Sequence, residues 1–213
     1  MMSQNRQAAK DSLRNQNDYR TDLKSELILE ELHDKMELIL KNRLEYDSFM
    51  EYLTINVSEF FRNGEQWDVL KNEILPILVS KSNQGKLRIW SSACSSGEEP
   101  YSLAMVLTKH LKDMDFEIIA TDIDESIMAR AKKATYKLED FGKIPEEYRK
   151  WFIDQGCGIY GISDEIKKKI TFSQLDLLKD IYPKDVDLLV CRNVLIYFTE
   201  EAQHFIVENT ESL

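Results

Sequence analysis

The sequence predicts an α/β domain built on a parallel sheet, and three observations carry that prediction. Short apolar runs alternate with helical patterns along the chain, with strands at 87–90, 116–121 and 186–191 and helices at 98–111, 125–134 and 199–208. The first strand runs into Ser91-Ser92-Ala93-Cys94-Ser95-Ser96-Gly97, a loop of very small residues, and then into the helix start Glu98-Glu99-Pro100. The second strand ends on Asp122, roughly 20-odd residues past that loop, where a parallel sheet commonly presents an acid to a ligand.

In chain order, residues 1–20 are polar and expected to be loosely held. From 21 to 53, Leu23, Leu27, Leu32, Met36, Ile39, Leu40, Leu44 and Phe49 recur at helical spacing with no Pro or Gly between them. One or two amphipathic helices are expected there, packing on the main domain. Residues 56–64 form a connector, followed by a helix to Val79 that Pro76 should bend or interrupt. After the turn-rich loop 80–86 come the first two strand–helix units. Residues 136–172 are less regular, with a helical 145–153 and a Gly156-Cys157-Gly158 turn, and are expected to form a small inserted element such as a hairpin.

Composition narrows the function. A hydrophobic fraction of 43% supports a packed core. The net charge of -10, with no Lys/Arg block, argues against nucleic acid as a partner. The N-terminus lacks an apolar signal core and no run is long enough to span a bilayer, so no membrane insertion and a cytoplasmic location are expected. Cys94, Cys157 and Cys191 are too scattered for a disulfide framework, and His33, His110 and His204 have no ligand-like spacing. No metal is expected.

The loop after the first strand points to a cofactor. It lacks the G-x-G-x-x-G fingerprint and the Gly-Lys-Ser/Thr of a P-loop. Two acids stand where a pyrophosphate would want bare N–H groups. A cofactor without phosphate fits better, and S-adenosylmethionine, with a sulfonium and an amino group, offers the cationic centres that Glu98 or Glu99 could meet. Helix-start chemistry alone accounts for one of these acids. At the next strand end, Asp122 reads as a ribose-diol acceptor and Asp124 as the cap of the following helix.

Two further segments carry candidate chemistry. In Asn56-Val57-Ser58-Glu59-Phe60-Phe61-Arg62-Asn63, the aromatics read as an anchor with a solvated Arg62, or as a lid in which Arg62 presents a planar fork to a carboxylate. In Cys191-Arg192-Asn193-Val194-Leu195-Ile196-Tyr197-Phe198, the polar residues should fall at the sheet's functional edge, while a plainer reading makes Tyr197 and Phe198 core aromatics. The absence of an Asn-Pro-Pro-Tyr type motif disfavours base methylation.

Together, these segments resemble the CheR family of chemotaxis receptor glutamate O-methyltransferases. The resemblance runs from about residue 38 to the end of the chain, with three blocks in family order: 56–62, 90–102 and 191–198. It implies a Rossmann-like S-adenosylmethionine-dependent methyltransferase sheet at 63–213, an inserted β-subdomain at 136–172, and a small N-terminal helical domain and linker at 1–62. It implies that Asn56, Ser58, Arg62, Glu98, Asp122, Asp176, Leu177, Arg192 and Asn193 line the cofactor site, and that Arg62 and Tyr197 flank the reacting centre. The implied partner is the cytoplasmic domain of methyl-accepting chemotaxis receptors, met by a monomer.

This chain departs from the family in several places. Ser58 replaces the usual Thr and keeps its hydroxyl. Asp176 stands where Asn is common and adds a negative charge. The N-terminal region is mixed to acidic, where members often carry a basic receptor helix. The 156–166 turn is short for binding a receptor pentapeptide, so a tether-independent member is expected. The family continues into a Gly-Gly turn and two more strands after Leu213, so those C-terminal strands are expected to be missing here.

The implied reaction moves a methyl group from the sulfonium to a glutamate side-chain oxygen. That carboxylate, with a pKa of about 4.3, is already ionised at neutral pH and needs no general base. A non-catalytic cofactor- or receptor-binding module, and a small-molecule carboxyl methyltransferase on the same fold, are the competing readings.

Overall fold

The computed structural model describes residues 58–81, 85–139 and 141–210. The chain divides into two compact units, Met1–Asn56 and Val57–Leu213, and every described residue belongs to the second. The helices expected at 21–53 and the candidate site residue Asn56 lie outside the described residues.

The domain opens with helix α1 (Gly64–Val69), a π-helical stretch at Leu70–Ile74 and helix α2 (Leu75–Lys81). Pro76, which the sequence predicts to bend or interrupt this helix, is accommodated by the π stretch. Leu75 donates its N–H to the carbonyl of Leu70, five residues back, so the ladder is already widened where Pro76 offers no donor.

Four parallel strands make the main sheet: β1 (Lys86–Ser92), β2 (Asp115–Asp122), β6 (Ile170–Gln174) and β7 (Leu188–Cys191), in the order β6-β2-β1-β7. The chain winds outward from β1 through β2 to β6, then returns to place β7 on the other side of β1. That reversal falls between β1 and β7, and in open α/β sheets ligands bind outside the carboxyl ends of the strands at such a point. The sheet is Rossmann-like.

Side-chain alternation gives each face of β1 its own core. Leu87 and Ile89, both fully buried, join Phe116 and Ile118 beneath helix α3 (Glu98–His110). Trp90 points the other way and packs with Leu175, Leu177 and Ile206, the last from helix α6 (Glu200–Thr210). Every residue of α3 from Pro100 to Leu107 is buried, as expected of a helix covered on more than one side. It packs on β2 and β6, and also on a 3-10 turn at Glu146–Trp151 and on the short helix α5 (Asp164–Lys167).

Helix α4 (Glu125–Lys133) follows β2 and is capped by Asp124, as the sequence predicts. The Asp124 carboxylate accepts the N–H groups of Ser126 at 2.8 Å and Ile127 at 3.3 Å.

The less regular region contains a second, antiparallel sheet of β3 (Thr135–Lys137), β4 (Phe152–Asp154) and β5 (Ile159–Ile162), ordered β3-β5-β4. The expected hairpin is β4–β5, turning through Gly156, Cys157 and Gly158, all at positive φ. Two details differ from the sequence reading. The helical stretch expected at 145–153 is the 3-10 turn at Glu146–Trp151, running directly into β4. The region expected to remain irregular to 172 already contains the start of β6, which pairs with β2 from Ile118↔Ile170 to Asp122↔Gln174. β6 is an edge strand with only Ile170 and Phe172 half-buried among exposed neighbours, so its apolar signal is weak.

Candidate functional site

Because the four main strands are parallel, their carboxyl ends share one edge: Ser92 is level with Thr121 and Cys191, and Asp122 with Gln174. Glu98, Asp122, Asp176, Leu177, Arg192, Asn193 and Tyr197 all lie at or just past one of these ends.

The loop after β1 is held by a chain of hydrogen bonds. Cys94 donates its N–H to the carbonyl of Thr121 at 2.8 Å, and Ser95 donates its N–H to Asp122 Oδ2 at 2.7 Å. Asp122 Oδ1 accepts the N–H of Asp124 at 3.1 Å. Burial raises the Asp122 carboxyl above its ordinary range, and these backbone N–H groups partly offset that. Each carboxylate oxygen keeps a second lone pair, so Asp122 can brace the loop and still accept a hydroxyl.

Small residues are required here for steric reasons. Ala93, Ser95 and Gly97 all lie at positive φ, 55°, 50° and 95° respectively. A Cβ on Gly97 would meet Ala131 Cβ and the Tyr136 hydroxyl at 3.0 Å and Tyr101 Cε2 at 3.2 Å. The hydroxyl of Tyr136 donates to the carbonyl of Ser96 at 2.7 Å, tying the loop to the antiparallel sheet. The buried Ser95 Oγ has no hydrogen-bond partner.

The two helix-start acids have different surroundings. Glu98 is half-buried and accepts the Ser96 hydroxyl at 2.7 Å. Glu99 accepts the Ser91 hydroxyl at 2.9 Å and faces Arg192 Nη1 at 3.4 Å. Burial pushes its carboxyl up to about 7, against the opposing effects of Ser91 and Arg192. The sequence alone leaves open which of Glu98 and Glu99 is helix-start chemistry. The pairing of Glu99 depends on a residue 93 positions away, which no local pattern encodes.

The connector resolves in favour of the anchor for its aromatics. Phe60 packs edge-on against Tyr136 and Phe152 at 4.8 and 5.0 Å, and Phe61 stacks on Tyr148 at 4.6 Å. Phe61 sits at φ 55°, unusual for a bulky side chain, and donates its N–H to Ser102 Oγ at 3.0 Å. The next carbonyl, that of Arg62, accepts from Trp67 Nε1 at 3.0 Å and from Arg192 Nη2 at 2.9 Å. Arg192 Nη2 also donates to Asn63 Oδ1 at 3.3 Å, and its guanidinium lies 5.5 Å from the Trp67 ring centre.

The remaining candidates are more dispersed. Ser58 is half-buried at the start of the connector. Asp176 works in its own turn, where Oδ1 accepts the N–H of Leu178 at 2.9 Å and Oδ2 pairs with Lys179 at 2.9 Å. These contacts lower its pKa. Leu177 is buried in the core of the second face, and its carbonyl accepts the Tyr182 hydroxyl at 2.5 Å. Asn193 is exposed at φ 57°. Tyr197 is 63% exposed on a 3-10 turn at Leu195–Tyr197 and so is not a core aromatic. Among the described residues no cluster could hold a metal ion, and no helix is long and apolar enough to cross a membrane.

Residues 56–213 match the family model described as "CheR methyltransferase, SAM binding domain". The chain belongs to the CheR methyltransferase family. Residues 1–48 match a separate model, a protein family of unknown function, DUF1003. The chemotaxis protein methyltransferase of Listeria innocua is 47% identical over 165 residues, 77% of this chain and 62% of that one. That of Listeria monocytogenes is 46% identical over the same shares. The chain thus spans about three fifths of the length of these curated relatives. Among solved structures, a DszA carbon methyltransferase matches 70% of this chain and 32% of its own, at 16% identity and a TM-score of 0.46.

The residues present suit the family's cofactor, S-adenosylmethionine. The loop offers the unpartnered Ser95 hydroxyl, the acids Glu98 and Asp122 flank it, and no basic phosphate cradle stands among them.

Proposed function

We propose that this methyltransferase domain catalyses methyl transfer to glutamate side chains of methyl-accepting chemotaxis receptors, forming methyl esters in the cytoplasm. One observation carries the reading. The Arg62 connector is fastened through its own carbonyl to Arg192 at the carboxyl edge of β7, so two family blocks distant in sequence form one wall.

S-adenosylmethionine, when bound, supplies an electrophilic methyl carbon, and its sulfur keeps the bonding electron pair on transfer. Ser58, Glu98, Asp122, Asp176, Leu177 and Asn193 are the residues we assign to hold it. Glu98 presents negative charge to its cationic groups, and Asp122 accepts from its ribose hydroxyls. Arg62 and Tyr197 orient the acceptor carboxylate. That carboxylate is already ionised, so the chain needs no base and its work is alignment and exclusion of water. Well-oriented reactants gain roughly 7–11 kcal/mol from alignment.

The test is incubation with methyl-labelled cofactor and a receptor cytoplasmic fragment. Base-labile label on the fragment supports the reading. Binding of cofactor or receptor without label supports a non-catalytic module.

A further inference from the structure

Arg192 follows β7 at the cofactor edge, yet its guanidinium is turned toward protein groups on three sides. It donates to the Arg62 carbonyl at 2.9 Å and to Asn63 Oδ1 at 3.3 Å, faces Glu99 Oε2 at 3.4 Å and lies over the Trp67 ring. Its side chain is only 20% exposed, and that of Glu99 only 16%. Glu99 is held in turn by the Ser91 hydroxyl of β1. The guanidinium therefore ties β1, the start of α3 and the connector into one assembly.

The connector needs such a tie. Phe61 and Asn63, on either side of Arg62, both sit at positive φ, a conformation that persists only when surroundings over-determine it. From behind, Phe61 is held by its N–H on Ser102 and its ring on Tyr148. From the front, the Arg62 carbonyl is held by Arg192 and Trp67. A charged planar fork reaches several acceptors at fixed angles, which a lysine ammonium does not.

We propose that Arg192 is a positioning residue: held by Glu99, its guanidinium fixes the Arg62 carbonyl and so sets the direction of the Arg62 side chain, rather than touching the cofactor. The consequence for catalysis rests on the function proposed above, whereas the clasp itself does not. A substitution at either Glu99 or Arg192 loosens the same peptide bond, Arg62–Asn63.

That bond is a trypsin site, so limited proteolysis of the full chain with mass-spectrometric mapping reads the clasp directly. Arg192→Gln should raise the rate of cleavage after Arg62 by about tenfold, and Glu99→Gln by a few-fold, while cleavage after Arg130 in α4 changes less than about twofold. Arg192→Lys should fall between wild type and Arg192→Gln, since it keeps the charge and loses the fork. Unchanged cleavage after Arg62 in Arg192→Gln overturns the proposal. An equal rise at both sites in all three variants also overturns it, because the pair then supports the whole fold. In the methyl-transfer assay, Arg192→Lys should lower kcat by a larger factor than it raises KM for S-adenosylmethionine. A raised KM with kcat unchanged overturns the positioning role. Absence of transfer by the wild type would count against the proposed function and leave the proteolysis result to decide the clasp.

Discussion

The carboxylate of Asp122, at the end of β2, accepts the backbone N–H of Ser95 in the neighbouring loop at 2.7 Å. The residue assigned to the cofactor's ribose is therefore also the brace of the loop that would receive the cofactor. Asp122→Ala leaves the N–H groups of Ser95 and Asp124 without this partner. We expect a loss of about 2 kcal/mol in folding stability by urea denaturation. Cofactor affinity by calorimetry should fall by about tenfold or more as two contacts are lost together. An unaltered affinity would remove Asp122 from the site.

Gly97 combines a left-handed conformation with crowding by Ala131, Tyr136 and Tyr101. Gly97→Ala is expected to cost about 2 kcal/mol or more, because both the backbone and the neighbours must move. A melting temperature equal to wild type would contradict the close packing around the loop.

Tyr136 connects the antiparallel sheet to the loop after β1 through one buried hydrogen bond to the Ser96 carbonyl. Tyr136→Phe keeps the ring against Phe60 and removes only the donor. The cost should be about 1–3 kcal/mol, with weaker cofactor binding, read by thermal melts and calorimetry. A change in stability with no change in binding would make the antiparallel sheet a support for the fold alone.

Glu99 gives the domain a pH dependence of definite sign. Its carboxyl is pushed up to about 7 in the folded protein, above the ordinary value of 4.5. Between those values the folded state holds a proton that the unfolded chain has released. Stability from this group is therefore fully present below about pH 4.5 and is lost as pH rises toward 7, by up to about 3 kcal/mol. Glu99→Gln should flatten that part of the urea-midpoint profile between pH 5 and about 7.5. An identical profile in the variant would contradict the assignment.

The sequence made the parallel sheet legible because its central strands are apolar runs separated by helices of ordinary length. Leu87, Ile89 and Trp90 are completely buried, and such positions tolerate little but large apolar residues. β6 was harder to read, since an edge strand with two half-buried apolar residues leaves almost no periodic trace. The loop at 91–97 was readable as a close-approach loop, but not its fastening by Asp122 and Tyr136, which are contacts between distant segments. The same is true of Glu99 and Arg192, whose types suited a ligand site equally well. Asp124, by contrast, was readable as a cap because capping is local. Phe60 and Phe61 give little sign in the sequence of which neighbours hold them, since apart from the nearby Trp67 their ring partners come from the separate antiparallel sheet and its 3-10 turn.

The proposed role of Arg62, orienting an acceptor carboxylate for methyl transfer, is read by comparing Arg62→Ala with wild type in transfer of labelled methyl to a receptor cytoplasmic fragment, alongside the cofactor dissociation constant. We expect base-labile label from the wild type and a rate about 100-fold lower in the variant, with cofactor affinity weakened by a much smaller factor. Equal rates, or a loss of rate matched by an equal loss of cofactor affinity, would contradict it.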